Sequence, residues 1–189
     1  MTQFFRKYWV DFLKTFWQSL RQAWRSDPPA EQESEAAPAA RWAWVLPHKL
    51  KVGSFPEVPD LDCLKQEGIQ AILTLCDPKE AQLDPAFSEN FHCVQYALPD
   101  SRQSRPLSVE DLATAIDLLH ETLQTHGPTY VHCLAGIERS PTVCMAYLCR
   151  YQNLQVWEAL NWLKSIHART GITSEQLRVV SKYLAEVTE

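Results

Sequence analysis

The sequence predicts an α/β domain: a small, mostly parallel sheet with helices packed around it. From about residue 41 onward, short apolar runs alternate with segments of helical periodicity, and helices dominate the C-terminal half. This alternation is typical of parallel strands joined by crossover helices. The chain has 189 residues, of which 46% are hydrophobic and 22% charged, so it can form one packed domain with an appendage.

Four short segments are predicted as strands: residues 50–53, 69–76, 93–98 and 129–132. The run 69–76 is mostly apolar and branched, which is expected of a strand buried on both faces. The last segment leads directly into Cys133. We therefore expect a catalytic site at the carboxyl end of that strand.

Five segments are predicted as helices: residues 60–67, 108–126, 140–152, 155–167 and 174–187. In the second of these, Ser108 can cap the first amides, and two acids in the first turn suit the helix dipole. Its apolar residues recur at helical spacing, and Gly127-Pro128 ends it.

Three zones differ in composition: residues 1–26 are aromatic and basic, 27–40 lack aromatic and branched aliphatic residues, and 41–189 have the pattern of a folded domain. The middle zone is predicted to be a flexible linker. Residues 1–26 predict an amphipathic helix that suits an anionic membrane surface, a groove on a partner or the folded domain itself. Charges interrupt it too often for a membrane-spanning helix.

Charge and cysteine usage exclude some classes of function. The net charge is −5, with five basic residues and one acid in residues 1–25 and an excess of acids elsewhere. An acidic body argues against nucleic-acid binding. The six cysteines form no C-x-x-C pair, and no His/Cys cluster has zinc-ligand spacing, so no metal is predicted. With no secretory signal in view, we expect reduced thiols and a cytoplasmic location.

Residues 132–140, called the Cys133 loop below, carry the strongest chemical signal. A thiol that attacks a phosphate monoester must be ionised near neutral pH, although free cysteine has a pKa of about 8.5. The amides of a loop entering a helix, with the helix dipole, supply the positive charge that thiolate and phosphate need. Gly136 permits the turn, Arg139 can grip two phosphate oxygens with its planar fork, and Pro141 suits the first helical turn.

The Cys133 loop resembles the His-Cys-x-Ala-Gly-x-x-Arg-Ser signature of the dual-specificity branch of the protein tyrosine phosphatase superfamily. Residues 44–187 are also similar to that family in length and element order. The resemblance implies a three-layer phosphatase fold and cofactor-free hydrolysis of phosphomonoesters, through a phosphate bound to the sulfur of Cys133. The implied phosphate-binding residues are Leu134, Ala135, Gly136, Ile137, Glu138 and Arg139.

The resemblance also implies roles for three neighbours of the nucleophile. Ser140 would donate its hydroxyl to the sulfur, and His132 would orient the loop by hydrogen bonding. Asp100, which lies 33 residues before Cys133, would be the general acid on a mobile loop. The alternative is that Pro99-Asp100-Ser101 is only a turn. Asp77 and Asp84 are the reserve candidates for the acid.

Glu138 bears on the substrate. Relatives that prefer inositol phospholipids often carry lysines inside the loop, whereas an acid at the rim disfavours polyanionic substrates. We therefore expect a phosphorylated protein as substrate, on tyrosine or on serine and threonine, with a phosphoinositide or another small phosphate ester as the alternative. Glu138 could instead point into solvent or pair with Arg102 or Arg105.

Cys76 carries a redox hypothesis. Some relatives have a cysteine at the corresponding strand end that forms a reversible disulfide with the nucleophile, although a buried cysteine often acts only as a small apolar residue.

An inactive phosphate-binding adaptor and a rhodanese-like sulfurtransferase are the competing function classes. The Arg139-Ser140 pair and an upstream acid favour phosphate chemistry.

Overall fold

The computed structural model describes residues 41–102 and 105–188. The amphipathic segment 1–26 and the linker 27–40 lie outside these residues and stay predictions. In the described part, no helix is long and apolar enough to cross a membrane.

The sheet has five strands within the described residues, in the order β1-β2-β5-β3-β4. The last four pair in parallel, and β1 pairs antiparallel with β2 at one edge. The strands are β1 (Trp42–Leu46), β2 (Leu50–Gly53), β3 (Ala71–Thr74), β4 (His92–Gln95) and β5 (Thr129–His132). The predicted α/β class with a small, mostly parallel sheet is confirmed.

Helices cover both faces of this sheet. Their bounds are α1 (Leu61–Gln66), α2 (Pro85–Asn90), α3 (Val109–Thr125), α4 (Arg139–Gln152), α5 (Val156–Ile166) and α6 (Ser174–Thr188). On one face, Leu64 of α1 and Phe87 of α2 form a buried cluster with Ile72 and Tyr130 of the sheet. Helices α3 and α4 pack against the sheet strands as well, and α4 also contacts α5 and α6. The first eleven residues of α4 are buried, so the helix that follows the Cys133 loop lies at the centre of the domain.

Most elements agree with the sequence prediction. Strands β2 and β5 have the predicted bounds, and Ser108 caps α3 in a reciprocal capping box with Asp111. Strand β3 is shorter than the predicted 69–76: its parallel ladder with β5 ends at the pair Thr74–His132, where Leu75 donates the last N–H to the His132 carbonyl. Two elements were missed. Strand β1 is a short edge strand, and α2 has only six residues, although its Asp84 cap and Pro85 are start signals for a helix.

The register of the sheet brings three strand ends together. Gly53 at the end of β2 and Thr74 at the end of β3 both align with His132, the last residue of β5. In open parallel sheets, ligands bind beyond the carboxyl ends of the strands. The Cys133 loop begins at this point.

Candidate active site

The Cys133 loop is held from both sides by backbone contacts. Phe55, just after β2, donates its N–H to the Leu134 carbonyl (3.1 Å), and Gly171, between α5 and α6, donates to the Ile137 carbonyl (2.8 Å). Gly136 has a φ of +71°, and a Cβ there would lie 2.7 Å from backbone atoms of Gly53. Only glycine fits both the conformation and the space.

The thiol of Cys133 is almost completely buried beneath this loop, with 3% of the residue exposed. The Ser140 hydroxyl lies 3.3 Å from Sγ of Cys133 and 3.1 Å from the carbonyl oxygen of Gly53. A hydroxyl has one hydrogen to donate, so these two acceptors share it. The serine can therefore donate to the sulfur when the sulfur is negative and to the carbonyl when it is not.

His132 is fully buried below the loop. Its Nε2 lies 2.9 Å from the Thr74 hydroxyl and its Nδ1 3.3 Å from the carbonyl oxygen of Cys133. Burial lowers the pKa of His132 to about 4, so the ring is neutral near pH 7. With its proton on Nδ1, the ring donates to the carbonyl of Cys133 and accepts from Thr74. The neutral ring thereby links β3 to the start of the loop.

Arg139 extends its guanidinium into a ring of oxygen acceptors. Its Nη1 donates to Oε2 of Glu80 (2.7 Å) and to the carbonyls of Leu98 (3.3 Å) and Leu75 (3.4 Å). Its Nη2 lies 3.3 Å from Oδ2 of Asp100. Glu80, which comes from the turn after β3, was not predicted from the sequence, because no motif marks it.

Asp100 lies beside this arginine, on the segment after β4 that we call the Asp100 loop (residues 98–102). Arg102 donates to its carboxylate through the backbone N–H (3.0 Å), Nε (2.8 Å) and Nη2 (3.2 Å). The side-chain hydrogen bonds of Arg102 outweigh the effect of burial and hold the pKa of the Asp100 carboxyl below its ordinary value. The structure thus brings the predicted acid next to Arg139, and the lowered pKa favours its ionised form.

The carboxylates of Asp77 and Asp84, the reserve candidates for the acid, accept backbone N–H groups of their own segments. Asp84 caps α2 by accepting the Ala86 N–H, and Asp77 accepts the N–H of Lys79 in a turn. The alternative in which Glu138 pairs with Arg102 or Arg105 is not what the structure shows, because Arg102 pairs with Asp100, and Arg105 with Asp111. Oε2 of Glu138 is instead buried, with no hydrogen-bond partner in residues 41–102 and 105–188.

Two buried thiols lie near the nucleophile. Burial raises the pKa of Cys76 to about 12, and burial also raises that of Cys144 in α4. In both cases the charge of Cys133 adds to the rise, so both sulfurs are within its electrostatic reach. Cys76 also lies near Arg139, Glu80 and Asp100. The predicted partnership of Cys76 with the nucleophile stays a prediction.

Taken together, a buried thiol, a strand-to-helix loop and a buried arginine form a site for a tetrahedral oxyanion. The loop leads into the N-terminus of α4, where amides and helix dipole favour negative charge. The carboxylate of Asp100 lies 3.3 Å from the guanidinium of this arginine. Such a site can transfer a phosphoryl group to sulfur.

Comparison with known proteins agrees with this reading. Residues 50–185 match the family model described as dual specificity phosphatase, catalytic domain. The Arabidopsis thaliana phosphatidylglycerophosphate phosphatases PTPMT2 and PTPMT1 are 27% and 28% identical to the chain, over 76% of it. The chain spans 63% and 42% of their lengths. Mouse dual specificity protein phosphatase 14 is 48% identical over 52 residues, which are 28% of this chain and 26% of that protein.

Solved structures share the fold at low sequence identity. A crystal structure of PTPMT1 in complex with PI(5)P superposes with a TM-score of 0.69 at 19% identity, over 79% of this chain and 97% of that one. The human tyrosine phosphatase-like serine/threonine/tyrosine-interacting protein gives 0.70 at 20% identity, over 79% and 100%. These likenesses establish the three-layer fold.

Proposed function

Because the chain belongs to the dual specificity phosphatase family and is a cysteine-based phosphatase, we propose that it hydrolyses phosphomonoesters through a phosphate carried on Cys133. The observation that carries the proposal is the Cys133 thiol just after β5, with the Ser140 hydroxyl 3.3 Å from its sulfur and the buried Arg139 at the start of α4. The thiolate would attack phosphorus, the bond to the ester oxygen would break, and that oxygen would take a proton from Asp100.

The second half of the reaction restores the enzyme. Water attacks the phosphorus of the intermediate, Asp100 takes back a proton, and the sulfur leaves as a thiolate. The Ser140 hydroxyl, which lies 3.3 Å from the sulfur, donates a hydrogen bond that stabilises the departing thiolate. His132 acts as a neutral link that orients the loop, since its low pKa keeps the ring from taking up a second proton near pH 7.

Phosphate binding requires Arg139 to exchange partners. Glu80 holds Nη1 from one side, so the guanidinium is oriented before substrate arrives. Nη2, now 3.3 Å from Asp100, is the group that can turn to a phosphate oxygen. Asp100 then loses one cationic neighbour and is freer to accept the proton that it must later donate.

For the substrate we propose a singly phosphorylated protein side chain. The variable positions of the Cys133 loop carry no lysine, and three acids surround the site: Glu80, Asp100 and Glu138. Each additional phosphate on a substrate would meet this negative charge. The acids therefore favour one phosphate and disfavour a polyphosphorylated inositol ring.

A phospholipid monophosphate is the second candidate, and one observation favours it. The Arabidopsis relatives that match 76% of the chain are named phosphatidylglycerophosphate phosphatases. Phosphate release from phosphotyrosine and phosphothreonine peptides should be compared with release from phosphatidylglycerophosphate in mixed micelles. A higher kcat/KM on the lipid would replace the protein assignment.

We also propose that the protein is cytoplasmic and that residues 1–26 associate with anionic membrane surfaces. Their aromatic residues and five basic groups against one acid support this. Full-length protein and a chain beginning at residue 41 can be compared by co-sedimentation with anionic liposomes. Equal binding of the two would overturn this proposal.

Replacement of the nucleophile tests the phosphatase mechanism. Cys133→Ser should lower hydrolysis of an aryl phosphate by about 10⁴-fold or more, since a serine hydroxyl is a far weaker nucleophile than a thiolate. Cys63→Ser is the matched control, because Cys63 is exposed on α1. Circular dichroism and melting temperature check the fold. Turnover retained by the Cys133 variant would refute the mechanism.

A further inference from the structure

The carboxylate of Asp100 is occupied by cationic donors on both oxygens. Oδ1 accepts from the backbone N–H and Nε of Arg102, at 3.0 and 2.8 Å. Oδ2 accepts from Nη2 of Arg102 at 3.2 Å and lies 3.3 Å from Nη2 of Arg139. An acid that donates a proton must first hold one, and neither oxygen is free to receive it in this arrangement.

The surroundings show which contact can give way. Arg139 faces Asp100 from α4, while Glu80, Cys76, Cys133 and Glu138 lie around the two arginines and oppose their positive charge. Arg139 is 3% exposed and is also held by Glu80, whereas the Arg102 side chain is 79% exposed. Once Nη2 of Arg139 has turned to a bound phosphate, Arg102 is the remaining cationic donor on Asp100, and its exposed side chain can move into water with little rearrangement.

We propose that Arg102 is a positioning residue: it holds Asp100 as a carboxylate in the free enzyme and thereby sets the pH above which the general acid fails. This inference rests on the proposed role of Asp100. The oxygen that accepts the proton is Oδ2. It loses Arg139 when phosphate binds and keeps only the longest of the three Arg102 contacts.

The sign of the effect follows from the ion pair. A general acid works only below its pKa, and the hydrogen bonds of Arg102 lower the pKa of Asp100. Removal of the guanidinium should raise the pKa of Asp100, so the alkaline limb of the pH profile should move to higher pH. The profile of kcat/KM reports groups of the free enzyme, which is the state with this ion pair.

The chain offers a matched control in Arg105. It is equally an exposed arginine of the same connection, but its Nη1 donates to Asp111 at the start of α3. Arg105→Gln removes the same charge three residues away without touching Asp100. If Arg102 acted only through a general electrostatic effect on substrate approach, kcat/KM would therefore change to the same extent in both variants.

The experiment measures kcat/KM against pH for wild type, Arg102→Gln, Arg102→Lys and Arg105→Gln. Phenyl phosphate, whose leaving group needs the proton, is compared with p-nitrophenyl phosphate, whose leaving group needs it less. On the alkaline limb, Arg102→Gln should raise kcat/KM for phenyl phosphate by about three- to tenfold, and for p-nitrophenyl phosphate by less. Arg102→Lys should restore part of the wild-type profile, and Arg105→Gln should match wild type.

Two results would overturn the inference. One is an unmoved alkaline limb in Arg102→Gln. The other is an equal loss on both substrates, which would make Arg102 a substrate-binding group. Asp100→Asn separates these from failure of the proposed function. If Asp100→Asn keeps full activity on phenyl phosphate, then Asp100 is not the acid. If it loses activity while Arg102→Gln shows no shift, only the role of Arg102 fails.

Discussion

The Cys133 loop and the Asp100 loop bring complementary groups to one site, but they are held by different forces. Backbone hydrogen bonds from Phe55 and Gly171 hold the Cys133 loop over a buried thiol. The Asp100 loop is held at its acid by Arg102, whose side chain is mostly in water. Close packing fixes the position of a nucleophile, whereas exposed ion pairs can be released and are weakened by salt. The nucleophile is therefore pre-positioned, and the acid is adjustable.

Among changes that keep the nucleophile, the largest effect on kcat/KM should come from filling the space under the Cys133 loop. Gly136→Ala should lower kcat/KM by about 10²-fold or more, because its methyl group would collide with backbone of Gly53 and Ser54 and displace the phosphate-binding amides. Gly68→Ala is the control. Gly68 also has a positive φ, of +79°, but its Cβ would meet nothing within 4 Å. It should cost about 1 kcal/mol of stability and leave activity unchanged. Equal kinetics in the two variants would show that the loop is not rigidly packed.

A smaller effect on kcat/KM should come from removing the carboxylate that orients the Arg139 guanidinium. Glu80→Gln should lower kcat/KM by about tenfold, chiefly through a higher KM, because the guanidinium loses the charged partner that orients it. Steady-state kinetics on p-nitrophenyl phosphate measure this. Glu89→Gln, on the exposed side of α2, is the control and should behave as wild type. No change in the Glu80 variant would mean that the loop alone orients Arg139.

Oxidation distinguishes the two buried thiols beside the nucleophile. If Cys76 is the resolving thiol, Cys76→Ser should recover severalfold less activity than wild type when mild peroxide treatment is followed by a reductant. Cys144→Ser should recover as much activity as wild type after the same treatment. Peptide mapping should find a Cys76–Cys133 link. A link from Cys144 instead, or none, would end the hypothesis for Cys76.

A change in ionic strength should have the smallest effect on kcat/KM. Raising salt from about 0.05 M to about 0.5 M screens the exposed Arg102–Asp100 pair, so the alkaline limb of wild type should gain about two- to threefold in kcat/KM relative to Arg102→Gln. The comparison with the variant cancels the general effect of salt on substrate binding. A ratio that does not change with salt would show that the acid is held by something other than Arg102.

The residues of the Cys133 loop could be predicted from the sequence, but Glu80 and the pairing of Arg102 with Asp100 were missed. The strand, the glycine, the arginine and the helix start are contiguous, so local rules were enough to place them. Glu80 and Arg139 are 59 residues apart and meet only because the sheet aligns the ends of β3 and β5. The Arg102–Asp100 pair is local in sequence, but its effect on catalysis depends on Arg139, which lies beside Asp100. Tertiary packing decides such partnerships, and no local pattern encodes them.

The central claim is that phosphate is carried on Cys133, and trapping the intermediate tests it most directly. In Asp100→Asn, p-nitrophenyl phosphate should still transfer its phosphate because the leaving group needs little help, while the attack of water lacks its base. Rapid acid quench and peptide mass spectrometry should then find phosphate on the Cys133 sulfur. Steady turnover with no phosphate on Cys133, or with phosphate on another residue, would contradict the account.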